Sequence, residues 1–450
     1  MDTAALIARY DGPVPRYTSY PTAPHFGPAV DGAVYAGWLA ALPPEAALSL
    51  YLHVPFCAEL CWFCGCHTTA TSSRAALETY ADTLLAEIAL VSAALDRPMR
   101  VAHVHWGGGT PTALPPARLV QVMGALRTHF ALDADAEVAV EVDPRTATPE
   151  AIAALGEMGC TRASLGVQDF APEVQQAVNR HQSFEQTRDC ADALRAAGVA
   201  SINLDLMYGL PFQTEAGVAA TVSRALDILP DRIAVFGYAH VPWMKKHQAL
   251  LPEAELPDAA ARFAQRATAE AVILGRGWQA IGLDHYARPD DALARAADEG
   301  ALRRNFQGYT TDAAPVLLGL GASSIGSLPQ GYAQNEPSVP AWRDAVRAGR
   351  LPVRRGIALS DDDRLRRAVI ERIMCDGAVD LDAVAAAQGA DPAALRAAAR
   401  TLALMAQDGL LAWDGRHIRL TEAGRPFVRN VAAAFDAYLR PQEGRHARAV

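Results

Sequence analysis

Six short apolar runs recur through the first half of this chain, each followed by a longer amphipathic stretch, and that alternation limits the fold more than any other feature. The runs are LSLYLHV (48–54), VAHVHW (101–106), EVAVEVD (137–143), RASLGVQ (162–168), INLDLMYG (202–209) and IAVFGYA (233–239). Between them stand helical patterns such as ALETYADTLLAEIALVSAAL, LVQVMGALRTHF, PEAIAALGEMG, EQTRDCADALRAAG and GVAATVSRALDI, several closed by glycine as a C-cap. Strand and helix alternating in series predict an α/β fold with a parallel sheet. Polar and glycine-rich segments cluster after the strands in unit after unit. In a barrel that end of the strands is where sites are built, so a partial (β/α)6-type parallel barrel is expected rather than an open sheet.

The chain of 450 residues exceeds one simple core, and three parts are expected. Residues 1–45, rich in Pro and polar groups, predict an arm without regular elements lying over the barrel. Residues 46–335 hold the barrel and its extension, the latter from WQAIGLDHYAR, RRNFQGYTT and LLGLGASSIGS. Residues 336–450 predict a mostly helical domain; from about 360 it reads helix, turn, helix, then a two-stranded wing, as in a winged helix. Mixed charges there and a net charge of −9 favour packing over DNA binding. No apolar run is long enough to cross a membrane, and MDTAALIARYDGP lacks the basic and apolar regions of a secretory signal, so a cytoplasmic protein without membrane insertion is expected.

Four of the seven cysteines fall within HVPFCAELCWFCGCH (53–67). Cys57, Cys61 and Cys64 have the spacing C-x3-C-x2-C, with Cys66 two residues on. Thiols this dense in a chain without a disulfide framework indicate a soft metal centre, either zinc or an iron–sulfur cluster. Zinc usually takes paired Cys-x2-Cys knuckles, and no second knuckle exists here. A [4Fe-4S] cube with three protein ligands fits better, leaving one iron open to a small molecule and Cys66 as a free thiol beside it. Elsewhere, Gly108, Gly109 and Thr110 directly follow a strand, where glycine lets backbone approach a ligand. Glu141, Gln168 and Asp205 are polar groups on otherwise apolar strands, where burial is costly without a partner or ligand.

C-x3-C-x2-C with Phe63 before the third cysteine resembles the signature of radical S-adenosylmethionine (SAM) enzymes. The longer run YLHVPFCAELCWFCGCH, with PRYTSYPTA, HWGGGTPT, EVDPR, GVQDF, VNRHQ, FGYAHVP, GLDHYARPDD, RRNFQGYTT and YAQN, is similar to the oxygen-independent coproporphyrinogen III oxidase family. The resemblance implies that Cys57, Cys61 and Cys64 ligate the cube, that SAM chelates the fourth iron, and that Phe63 lies over the adenine or shields the cluster. It implies a second SAM as well, with Tyr51, Gly108 and Glu141 near the first molecule or shared between the two. Gln168, Arg180, Asp205 and Ala239 form the neighbouring set, and Phe306, Gln307 and Ile325 contribute from beyond the barrel. Arg180 rests on VNRHQ alone; by default it is a solvated helix-start residue.

The implied reaction oxidatively decarboxylates two propionates of coproporphyrinogen III to vinyls, giving protoporphyrinogen IX, with Cys66 required for turnover. A reductant protein such as flavodoxin or ferredoxin, no nucleic acid and a monomer are expected. Arg16, Lys245, Lys246 and Arg288 are candidate anchors for the substrate carboxylates. A haem chaperone of the same superfamily is the nearest alternative. Such relatives lack the fourth cysteine and the PRYTSYPTA arm, both present here. A zinc-stabilised DNA-binding regulator is a third, and predicts a colourless protein.

Overall fold

The computed structural model describes residues 2–439. Twelve strands form one sheet: β1 (Leu48–Val54), β2 (Arg100–Gly108), β3 (Ala131–Val142), β4 (Arg162–Gln168), β5 (Ser201–Tyr208), β6 (Arg232–Gly237), β7 (Gln279–Ile281), β8 (His285–Ala287), β9 (Val316–Leu320), β10 (Ile325–Leu328), β11 (Gly331–Asn335) and β12 (Val353–Ala358). Their order is β12-β11-β10-β9-β1-β2-β3-β4-β5-β6-β8-β7. β1 to β6 are parallel, as expected from the six apolar runs. β9 adds a seventh parallel strand beside β1, and β10 to β12 continue antiparallel. The other edge is closed by the antiparallel pair β8 and β7.

Strand period explains where the site can form. In β1, β2, β4 and β5 one set of alternating residues (Leu48, Leu50, Leu52; Val104, Trp106; Ala163, Leu165, Val167; Ile202, Leu204, Leu206) joins the main apolar core beneath the helices. The other set is polar: Ser49, Tyr51, His53; His103, His105; Arg162, Ser164, Gln168; Asn203, Asp205. The register brings these into rows across the inner face, with Tyr51 beside His105, Glu141 beside Ser164 and Ser164 beside Asn203. The inner residues satisfy one another. Ser164 and Asn203 both donate to Asp205, at 2.8 and 2.9 Å, and Arg162 pairs with Glu137.

Three expectations are corrected. The first 45 residues contain the helices Thr3–Tyr10 and Gly32–Ala40, each started by an aspartate (Asp2, Asp31) whose side chain accepts backbone N–H groups. Gly32–Ala40 carries Tyr35 and Leu39 into the main core, while Leu6, Val14, Tyr17 and Tyr20 enter a second core with the C-terminal helices. The sheet also runs to Ala358, past the expected boundary at 335. Beyond it lie the helix Asp361–Asp376, several short helices and a sheet of three strands, Ala378–Asp380, Leu411–Trp413 and His417–Leu420, where two were expected. The extra strand forms because Gly377 ends the preceding helix in the left-handed conformation (φ 62°) and turns the chain straight into the sheet. Residues 440–450 of the expected C-terminal domain lie outside the described residues.

Candidate active site

The cysteine-rich loop leaves the C-terminal end of β1 and is closed by a short parallel pairing of Phe56–Cys57 with Thr69–Ala70. Its backbone is held from the neighbouring units. Trp62 N–H donates to Val178 O (3.0 Å), Asn179 to Leu60 O (3.0 Å), Gln248 to Phe63 O (2.9 Å), His247 to Cys64 O (2.7 Å) and Lys245 to Cys66 O (2.8 Å). Beneath the loop Cys61 and Phe63 pack with Val174, Val178, Leu210, Tyr238 and Leu251.

Donors surround the thiols. Thr68 and Thr110 hydroxyls lie 3.2 and 3.5 Å from Cys57 Sγ, and Cys66 N–H donates to Cys64 Sγ at 3.4 Å. Arg145 and Arg180 direct guanidinium N–H groups at Cys61 Sγ, at 3.4 and 3.5 Å. Burial pushes the Cys57 thiol up. Cys64 is drawn down to about 7, chiefly by a hydrogen bond from the Cys66 side chain. Such donors favour sulfur as thiolate, the form that binds metal.

Arg180 is not a solvated residue: it is 6% exposed, pairs with Asp143 at 3.3 Å and donates to Gly166 O. Burial raises Asp143, but Arg180 and Arg145 outweigh it and hold the carboxyl below its ordinary value. Asp143, Arg145, Thr68, His247 and Gln248 were not singled out from the sequence. The usable signal was the run EVDPR at a strand end, which places a carboxylate and a guanidinium directly after β3.

Glycine lets the end of β2 pass between its neighbours. A Cβ on Gly107 would come within 2.6 Å of Glu141 Oε1, and one on Gly108 (φ 111°) within 2.5 Å of the His53 ring. Gly108 N–H donates to Glu141 Oε2 at 3.1 Å. Burial pushes His53 down to about 4, so its ring is neutral. With Nε2–H on His67 O (3.0 Å), Nδ1 is left to accept from Tyr51 Oη (3.0 Å).

Two adjoining cavities result. The first, about 240 Å³, is lined by Cys57, Cys61, Phe63, Cys64, Cys66, Gly108, Gly109, Thr110, Glu141, Gln168, Arg180 and Asp205. The second, about 460 Å³, is lined by Tyr51, Phe306, Gln307 and Ile325 and shares Cys66, Gly108 and Glu141 with the first. Ala239 lines neither; its carbonyl accepts from Gln248, the residue that also holds Phe63 O. Of the cations expected as carboxylate anchors, Arg288 pairs with Asp290 (3.0 Å) and Asp231 (3.9 Å), Lys245 is committed to Cys66 O, and Arg16 donates to Gly237 O.

The donor set fits an iron–sulfur cube with SAM. Cys57, Cys61 and Cys64 all line the first cavity, three soft sulfur donors of the kind that iron–sulfur clusters take. Gln168 Oε1 and Arg180 Nε are buried without a hydrogen-bond partner on that cavity's wall, an acceptor and a donor left for a polar ligand.

A partial α/β barrel whose first strand runs into three such cysteines defines a radical SAM protein, and the model of the Radical SAM superfamily matches residues 51–225. The model of the HemN C-terminal domain matches residues 359–427. Oxygen-independent coproporphyrinogen III oxidase from Bradyrhizobium diazoefficiens is 51% identical over 437 residues, 97% of either chain. The protein of that name from Paracoccus denitrificans is 47% identical, covering 98% of both. The structure of coproporphyrinogen III oxidase (HemN) from Escherichia coli, a radical SAM enzyme, superposes with a TM-score of 0.91 at 39% identity, covering 97% of this chain and 99% of that one. The chain belongs to the oxygen-independent coproporphyrinogen III oxidase family. It is accordingly an oxidoreductase that works with a [4Fe-4S] cluster and SAM. No described helix is long and apolar enough to cross a membrane.

Proposed function

We propose that this chain converts two propionates of coproporphyrinogen III to vinyls, yielding protoporphyrinogen IX. The observation that carries this is the three-cysteine loop facing a cavity walled by Gly108, Glu141, Gln168, Arg180 and Asp205 from successive units, in a chain so similar to named oxidases along its whole length. Cys57, Cys61 and Cys64 hold the cube. The cube and SAM held there would supply one-electron chemistry at the unactivated propionate β-carbon, with CO2 and one electron to an external acceptor as the products beside the vinyl.

The polypeptide contributes placement and exclusion of water. Glu141, fixed by Gly108 N–H, presents a carboxylate where the two cavities meet. Gln168, Arg180 and Asp205 line the deeper cavity, with Arg180 also aimed at Cys61. Tyr51, Phe306, Gln307 and Ile325 wall the wider cavity, whose volume suits a second SAM. Phe63 supports the loop from below, and Ala239 acts through Gln248 on the backbone of Phe63. Cys66, hydrogen-bonded to Cys64, lines both cavities and serves turnover rather than ligation.

A cytoplasmic monomer fed with electrons by a flavodoxin or ferredoxin accompanies this reading. Its parts are an arm (1–45), a barrel (from 46 to 335, extended by β12 to 358) and a C-terminal domain beyond, supported by sheet membership and by the second core. The test is anaerobic incubation of the reconstituted protein with reductant, SAM and coproporphyrinogen III. Loss of two carboxyl groups by mass is the expected result. Production of 5′-deoxyadenosine without substrate loss, or stable haem binding in its place, would overturn the assignment.

A further inference from the structure

A third cavity, about 210 Å³, lies where the arm, the barrel extension and the C-terminal domain meet, walled by Tyr17–Tyr20, the segment Arg303–Phe306, Tyr332 and the helix Asp361–Asp376. Three guanidiniums line it: Arg303, Arg304 and Arg367. None has a carboxylate within ion-pair distance among the described residues. Arg304 stacks over Tyr309 (4.4 Å), gives one N–H to Arg16 O (3.2 Å), and keeps Nε and Nη1 buried without a partner. Arg367 lies over the Tyr332 ring (5.3 Å) and donates to Ser327 Oγ at 3.4 Å. Two carboxylates share the wall, Asp312 and Glu371. Asp312 is already engaged by Ser49 and by His103 (3.6 Å), so the cationic groups outnumber the free anionic ones.

Gathering several guanidiniums in a semi-enclosed site with no carboxylate in ion-pair contact is unfavourable, and it is the arrangement used to recognise carboxylates. Phe306 lines both this cavity and the wider cofactor cavity, so the two are neighbours across one ring. The substrate of the proposed reaction carries four propionates, of which two are never consumed and must be held while the others react.

We propose that the cavity between arm, barrel and C-terminal domain is a carboxylate subsite for the tetrapyrrole, with Arg303 and Arg367 as contact groups and Arg304 as the fixed cation behind them. The proposal rests on the reaction assigned above for the identity of its ligand. It gives the C-terminal domain a direct part in substrate recognition, because Arg367 belongs to its first helix.

The test uses the full-length holoenzyme and equilibrium binding, without turnover. Coproporphyrin III and its tetramethyl ester are titrated against the wild type and the Arg303→Met/Arg367→Met variant, which keeps the apolar stems and removes both charges. Iron content and near-ultraviolet circular dichroism report the fold. The wild type should prefer the acid, and the variant should lose roughly tenfold or more of that preference while binding the ester as before. An unchanged preference, or equal weakening of acid and ester, overturns the proposal. Failure of the wild type to decarboxylate coproporphyrinogen III would instead refute the reaction, a result read in a separate assay.

Discussion

At Gly108 a single hydrogen atom in place of a side chain decides whether the site can form. The φ of 111° is outside what L side chains readily adopt, and a Cβ would enter the His53 ring. Gly108→Ala should therefore cost about 1–3 kcal/mol. The measurements are a lower melting temperature and weaker SAM binding in calorimetric titration. The cysteines divide by what their sulfur faces. Cys61→Ala should lose iron and sulfide, whereas Cys66→Ser should keep the absorption of the cube and impair turnover; loss of iron from Cys66→Ser would make that residue a ligand. The cysteine spacing was legible because all four lie in one short loop. Arg180 was legible only through the resemblance of VNRHQ, and its burial was not, because its partner Asp143 stands 37 residues earlier in the chain and that ion pair exists only once β3 and the connection after β4 are neighbours.

The helix Arg74–Leu95 illustrates the same limit for an element. Its pattern and its start are plain in the sequence, with Ser73 capping Ala76 N–H. A charge on its inner face is not, since glutamate on a helix ordinarily faces solvent. Glu87 is 1% exposed and accepts from Gly321 N–H (2.7 Å), Asn335 Nδ2 (2.6 Å) and Trp342 Nε1 (3.1 Å), tying the helix to the turn after β9, to β11 and to the helix Val339–Arg347. Ser323, Ser324 and Ile325 follow directly and wall the wider cavity. Glu87→Ala strands three buried donors and should cost about 3 kcal/mol or more. Burial pushes the Glu87 carboxyl up to about 7, against the three hydrogen bonds that favour its charge. The folded state then keeps a proton that the unfolded chain releases at ordinary carboxylate pH, so stability falls as pH rises from about 4.5 to 7 and levels off above. Unfolding free energies from pH 5 to 8 should show that decline in the wild type and a flatter profile in Glu87→Gln.

Across the whole molecule, the α/β class and the parallel sheet follow from strand and helix periods, which are local properties of the chain. How the arm and the C-terminal domain attach does not, because the residues that join them are ordinary apolar and aromatic ones until their partners are known. Tyr20 is the clearest case. Its ring is 1% exposed, its hydroxyl accepts from Ala437 N–H (3.0 Å), its edge meets Tyr438 at 5.9 Å, and its own N–H points at the Tyr332 hydroxyl of β11 (3.4 Å). Helix Thr3–Tyr10 adds a second strap, since Arg9 and Tyr10 both bind Asp408. The arm thus adds to the direct contacts between barrel and C-terminal core, in which Cys375 packs with Ile281 and Leu293 and Tyr309 Oη donates to Met374 O. Coupling of this kind makes two cores unfold as one, and weakening it should let them part. Removing a fully buried aromatic costs about 3–5 kcal/mol, and here the loss falls on the junction itself. Tyr20→Ala should split a single calorimetric transition into two and speed proteolytic cleavage between β12 and the helix Asp361–Asp376. A uniform downward shift of one undivided transition would mean that the two cores are coupled through their direct contact and that the arm adds only local packing.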